Sequence, residues 1–271
     1  MSSDPGRTGS SETANIDRPA LLHRLAKASG PTAISRPGLH ETVAQILRPL
    51  SRGALLDCPT GEGALAKLLL DQGFAVRCCD LYTELFRLQG VEIKRGDMSA
   101  TLPYEDQSFD YIVCLEGLEH IESPPQAFRE FRRLLRPRGH LIVSVPNIMN
   151  IEERVKWLLH GYTSHFKPLS PQAMAKIRSD YGGMDEVAVH ANPIAYSELR
   201  YYLEKNGFLI QGVYRDRRKA NQWLYWPLVA LIRSLAALTP EKRRRDRWTA
   251  ELTSDPVLMG GNTLILHATL P

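Results

Sequence analysis

Apolar residues in this chain form short runs separated by stretches where they recur every three or four positions. The runs 54–58, 75–80, 91–97, 109–116 and 140–145 have the length and texture of buried strands. Between them, 63–70 has helical spacing, a short helix is expected through Phe86 and Leu88, and 124–135 reads as a longer one. Ser123 stands at the N-cap of that last helix, prolines fill its first turn, and Arg136-Pro137-Arg138-Gly139 is its expected stop. Upstream, Leu21, Leu22 and Leu25 share one helical face in 19–27, as do Val43, Ile46 and Leu47 in 39–50. Alternation of this kind builds a parallel sheet with helices on both faces, because each crossover must return the chain to the same edge.

The second half is less regular. Two helical pieces, 151–159 and 171–181, interrupt a segment without strand–helix rhythm; a helix over 196–206 then stops at Gly207. Two further strands are expected at 208–214 and 263–269, separated by a long connection. The fold class is α/β: a Rossmann-like, doubly wound, mostly parallel seven-stranded sheet with a C-terminal antiparallel strand pair and insertions. The expected organisation is a polar, disordered tail (1–17), N-terminal helices (18–50) and one domain (51–271). It carries insertions at about 147–195 and 215–262, the second a hydrophobic, basic helical segment.

Composition adds little to this picture. Apolar content of 43% and a formal charge of +4 are ordinary for a soluble globular chain, and much of that charge sits in Lys242-Arg243-Arg244-Arg245. No aromatic–basic interleaving accompanies that run, so no nucleic-acid role is expected. Cys58, Cys78, Cys79 and Cys114 all fall in apolar strand runs without Cys-x-x-Cys spacing, the pattern of buried free thiols in a reducing compartment. The N-terminus has no export signal, which makes the cytoplasm the expected location.

The chemistry should lie where parallel strands end at their carboxyl edge. Asp57-Cys58-Pro59-Thr60-Gly61-Glu62-Gly63 closes the first strand with a glycine turn that lets backbone approach a ligand, followed by the free N–H groups of a helix start. On its own, Gly61-x-Gly63-x-x-Ala66 also fits a dinucleotide fingerprint, with Asp80 at the spacing of a ribose acceptor.

Taken with the later strand ends, residues 55–147 resemble the core of class I S-adenosylmethionine (SAM)-dependent methyltransferases of the small-molecule type. The resemblance implies SAM as cofactor, with Asp57, Thr60, Gly61 and Gly63 at its amino-acid end. It further implies Asp80 and Leu81 at the ribose, Asp97 and Met98 at the adenine, and Glu116 and Gly117 on the methionine side. The chain departs from the family pattern at Pro59, which replaces the usual first glycine. Asp57, Glu62 and Glu116 around one pocket would attract the sulfonium and amine of SAM and repel a pyrophosphate, which favours SAM over a nicotinamide cofactor.

Methyl transfer to a hydroxyl benefits from a general base. The candidates are His190, His165 and His120, in that order, and no metal-ligand spacing links them, so no metal is expected. The resemblance implies that the 147–195 insertion is the acceptor lid; with His190-Ala191-Asn192-Pro193-Ile194 it resembles bacterial cell-surface glycan methyltransferases, which implies a sugar or lipid-linked sugar as acceptor. A quinone-type or other small-molecule acceptor is the second expectation, and a catalytically silent SAM-binding scaffold protein the third. Residues 223–238 form an apolar, aromatic stretch ahead of the basic run, too short to span a bilayer but suited to peripheral contact with the inner membrane face through 223–247. The competing role for that stretch is packing over the sheet or in a dimer.

Overall fold

The computed structural model describes residues 30–33, 35–180 and 189–271. The expected tail (1–17) and the expected helix at 19–27 lie outside the described residues. Among the described residues, seven strands form one sheet in the order β3-β2-β1-β4-β5-β7-β6. Strands β1 (Ala54–Asp57), β2 (Ala75–Asp80), β3 (Ile93–Arg95), β4 (Phe109–Cys114) and β5 (Leu135–Pro146) run parallel, whereas β7 (Thr263–Thr269) is antiparallel to both β5 and β6 (Leu209–Arg215).

Side-chain alternation along each strand divides the core into two layers. Leu55, Tyr111, Val113 and Ile142 face the layer formed with α1 (Leu39–Leu47) and α2 (Ala64–Asp71). Leu56, Ile112, Cys114 and Val143 face the other layer, where Phe128 and Phe131 of α3 (Pro124–Leu134) meet Leu199 and Leu203 of α6 (Tyr196–Lys205). The 147–195 insertion contributes α4 (Ile151–His160) and α5 (Pro171–Asp180). The 215–262 connection contributes α7 (Trp226–Leu238), α8 (Glu241–Asp246), α9 (Thr249–Leu252) and α10 (Asp255–Leu258). All four cysteines are free and buried.

Two local expectations are corrected. The helix expected through Phe86 and Leu88 is a single 3₁₀ turn, Thr83–Leu85, and Phe86 is already extended. Its backbone is held elsewhere: Arg87 N–H donates to Glu62 O at 3.1 Å. The expected stop is present: α3 ends at Leu134, and Arg136–Gly139, although within the span of β5, fall in the irregularity between the Leu135–Phe109 and His140–Tyr111 pairs, with Arg138 at a φ of +62°. Ser123 occupies the N-cap of α3, yet its side chain makes no capping bond.

One buried polar pair in the sheet carries a stability prediction. His140 Nδ1 lies 2.9 Å from His267 Nε2 across the β5–β7 ladder. Burial, with a smaller contribution from His140, lowers the His267 pKa to about 4. His267 is therefore neutral in the fold while the unfolded chain takes up a proton near pH 6.5. Its stabilising contribution is complete above that pH and is lost as pH falls toward 4. Between pH 6.5 and 4.5 the wild type should lose about 2 kcal/mol more unfolding free energy than His267→Gln. Urea titrations across this range check it; parallel pH profiles for the two proteins would exclude the assignment.

Candidate functional site

Because β1, β2, β3 and β4 are parallel, their carboxyl ends open on one edge of the sheet. One cavity of about 380 Å³ lies there. Of the ten cofactor residues expected from sequence, nine line it: Asp57, Thr60, Gly61, Asp80, Leu81, Asp97, Met98, Glu116 and Gly117. Gly63 does not. With φ at +91° it is the N-cap of α2, and a Cβ there would lie 2.7 Å from Phe86 Cε2, so the glycine is required by close packing against Phe86.

The turn after β1 is tied to the second strand. Thr60 N–H donates to Cys79 O at 3.1 Å, and Gly61 N–H donates to Asp80 Oδ2 at 2.8 Å. Asp80 Oδ1 accepts from Tyr82 N–H at 2.9 Å. Each carboxylate oxygen has a second lone pair, so Asp80 holds the turn and still has acceptor capacity for a ligand. Pro59 fits because the loop's backbone bonds run through Cys58, Thr60, Gly61 and Gly63 and require no donor at position 59. Its ring lies where a Cβ on Gly117 would meet Cδ at 2.6 Å.

Asp57 is buried and accepts the Thr60 hydroxyl at 2.9 Å; burial raises its pKa to about 7. Asp97 is exposed, its Oδ1 accepting from Ser99 N–H at 2.7 Å, and the neighbouring Met98 is buried against Cys114. Burial likewise raises Glu116 to about 7. Glu116 also adopts a φ of +49°, an uncommon backbone conformation for a non-glycine residue, beside the cavity. Glu62 lines the cavity too but is engaged by Thr32, through backbone N–H at 2.9 Å and hydroxyl at 2.7 Å.

The three candidate histidines converge on this cavity, and all three line it. The His120 and His190 rings are edge to face at 4.7 Å, and His165 stacks on His190 at 5.8 Å. Backbone bonds bring them together: Ala191 and Asn192 N–H donate to Glu119 O at 2.8 and 3.0 Å, and Val189 O lies 3.0 Å from His120 Nδ1. Burial lowers both His165 and His190 to about 4, so both are neutral imidazoles near pH 7. Glu119, which the sequence did not single out from the segment after β4, is fully buried between these groups. Its pKa is pushed well above the carboxylate range, first by burial and then by Glu116. Sequence reasoning also missed the segment before α1, from which Thr32, Ser35 and Arg36 line the cavity beside His40 of the first turn of α1. No periodicity or motif marks that segment.

The parallel core with its reversed last strand, and a cavity at the strand ends, define a class I SAM-dependent methyltransferase fold. Residues 56–143 match the methyltransferase-domain family. The chain is accordingly a SAM-dependent methyltransferase, and SAM is its cofactor. Among curated relatives, the ubiquinone biosynthesis O-methyltransferase of Psychrobacter arcticus is 25% identical over 189 residues, covering 62% of this chain and 72% of that protein. The ubiquinone/menaquinone biosynthesis C-methyltransferase of Paracoccus denitrificans is 32% identical over 148 residues, covering 50% of this chain and 58% of that one. Among solved structures, phosphoethanolamine N-methyltransferase 2 of Haemonchus contortus with bound SAM has a TM-score of 0.52 at 16% identity, covering 93% of this chain and 56% of that one. A methyltransferase from Bacillus halodurans has the same TM-score of 0.52 and identity of 16%, covering 85% of this chain and 98% of that one; at such identity both support the fold alone.

Proposed function

We propose that this enzyme transfers the SAM methyl group to a hydroxyl on a quinone-type aromatic ring. The observation that carries the reading is the wall of three imidazoles, His120, His165 and His190, in the same cavity as the strand-end carboxylates. Curated relatives named for ubiquinone biosynthesis support the quinone-type acceptor over the sugar or lipid-linked sugar expected from residues 147–195.

In this reading the amino-acid end of SAM lies at the turn 57–63, its ribose hydroxyls meet Asp80 and its adenine lies against Met98 with Asp97 at the amino group. Leu81 and Gly117 flank the nucleoside, and Glu116 lies on the sulfonium side. Transfer is an in-line displacement, in which the protein chiefly supplies alignment and exclusion of water. A neutral histidine of the cluster takes the hydroxyl proton, the oxygen forms a bond to the methyl carbon, and the S–CH₃ electron pair returns to sulfur. The products are a methyl ether and S-adenosylhomocysteine. The test is incubation with methyl-labelled SAM and either a dihydroxybenzene-type quinol or oligosaccharide acceptors. Label in the quinol, base-stable as an ether, is the expected result; label in the sugar alone would overturn the reading.

We further propose peripheral contact with an anionic bilayer. Helix α7 buries Val229, which packs with Ile151, Leu258 and Met259. It leaves much of its remaining surface in solvent, with Trp226 and Leu231 more than half exposed. Trp223 and Leu224 just before it, and Trp157, Leu158 and Leu159 on α4, are exposed as well. The adjoining Lys242–Arg245 run supplies the charge that anionic headgroups attract. Among the described residues no helix is long and apolar enough to cross a membrane. Co-sedimentation with phosphatidylglycerol vesicles should fall about 10-fold in a Trp223→Ser/Leu231→Ser/Leu235→Ser variant and weaken with salt. Unchanged sedimentation, or a shift from dimer to monomer in its place, would remove the proposal.

A further inference from the structure

We propose that Glu119, His120 and His190 form a binding site for one divalent transition-metal ion. One carboxylate oxygen and one nitrogen from each ring lie within 4.8 Å of one another, a spread that a single ion can bridge. The residues come from two segments some seventy positions apart, so no local ligand spacing announces them.

The independent observation is the state of the donors themselves. Glu119 is wholly removed from solvent, and neither of its carboxylate oxygens has a hydrogen-bond partner. A buried carboxylate facing no donor is costly, and such groups are found paired or coordinating a cation. His190 Nδ1 is likewise buried without a hydrogen-bond partner. His120 is held differently: its Nδ1 lies 3.0 Å from Val189 O, and since a carbonyl only accepts, the proton sits on Nδ1 and the lone pair on Nε2. A backbone carbonyl holding one ring nitrogen so that the other can ligate is the usual support around metal-bound histidines.

Two imidazoles and one carboxylate suit Zn²⁺, Mn²⁺, Fe²⁺ or Co²⁺ and leave further coordination positions open. His120 and His190 both line the cavity, so an open position would face it, whereas Glu119 lies behind that wall. The metal site stands on this geometry alone; its use in catalysis rests on the proposed methylation of a ring hydroxyl. In that use the open position takes the acceptor oxygen, and Lewis acidity eases loss of its proton. With His120 and His190 committed to the ion, His165, stacked on His190, is the imidazole available to receive that proton. The oxygen then bonds to the methyl carbon as the S–CH₃ pair returns to sulfur, so charge and atoms balance without a further reactant.

The test uses the full chain, stripped with a chelator and titrated separately with Zn²⁺, Mn²⁺ and Co²⁺ by calorimetry, with Co²⁺ absorption bands as a second readout. One equivalent should bind, and Glu119→Gln and His190→Ala should each weaken binding at least about 10-fold. SAM binding, measured on the same samples, shows that each variant is folded. Absence of binding by all three ions, or affinity unchanged in both variants, would overturn the site. Quinol methylation at an undiminished rate in the stripped protein would overturn its catalytic use. If the ion binds but no quinol is methylated in its presence, the site holds and the acceptor assignment fails.

Discussion

Asp80→Ala lowers affinity for SAM and for S-adenosylhomocysteine by about 100-fold or more. The side chain has two tasks at once. It fixes the glycine turn through Gly61 N–H and its own following loop through Tyr82 N–H, and in the proposed cofactor pose its remaining lone pairs accept from the ribose. Hydrogen bonds to a charged group contribute about 1.5–3 kcal/mol each, so losing both ribose bonds alone accounts for two or more orders of magnitude. The loosened turn adds to this. Asp80→Asn separates the two tasks: the amide retains one acceptor oxygen, so an intermediate loss is expected. Isothermal titration with either ligand is the measurement, and affinity within threefold of wild type in Asp80→Ala would exclude Asp80 from the cofactor site.

Gly117→Val perturbs the same site from the opposite wall. Even a single Cβ at this position would stand 2.6 Å from Pro59 Cδ, 2.7 Å from Pro59 Cγ and 3.0 Å from Met98 Cε. Pro59 is one residue from Thr60, whose backbone bond to Cys79 and hydroxyl bond to Asp57 shape the turn. Moving the proline ring therefore moves the turn. Overpacking of this kind typically costs about 1–3 kcal/mol. The expected result is a lower melting temperature together with SAM affinity reduced about 10-fold, while His267→Gln leaves SAM affinity unchanged. A Gly117→Val protein that melts lower but binds SAM normally would show that Pro59 and the cofactor turn are mechanically independent.

The strand–helix alternation of the core was readable because short apolar runs and period-3.6 burial are written locally, and alternation between them admits few topologies. For the same reason Asp57, Asp80, Asp97 and Glu116 were found: each follows directly from where a parallel strand stops. Elements held by tertiary bonds escaped this logic. Phe86 and Leu88 look like a helical pair, yet Arg87 N–H is spent on Glu62 and the chain stays extended there. Gly63 looks like a ligand-facing glycine, yet its neighbour is Phe86.

The histidine cluster shows the division most clearly. The sequence by itself determined that this chain carries a parallel sheet with acids at successive strand ends, because those features depend only on neighbouring residues and their periodicity. It also supplied His120, His165 and His190 as separate candidates. Only the tertiary structure decided that they share one wall, with the buried, unpartnered Glu119 behind it. That wall depends on Ala191 and Asn192 bonding to Glu119 O and Val189 O meeting His120, contacts between segments about seventy residues apart with no shared period. Long-range backbone bonds of this kind are set by how loops pack once the sheet exists, so no local pattern encodes them.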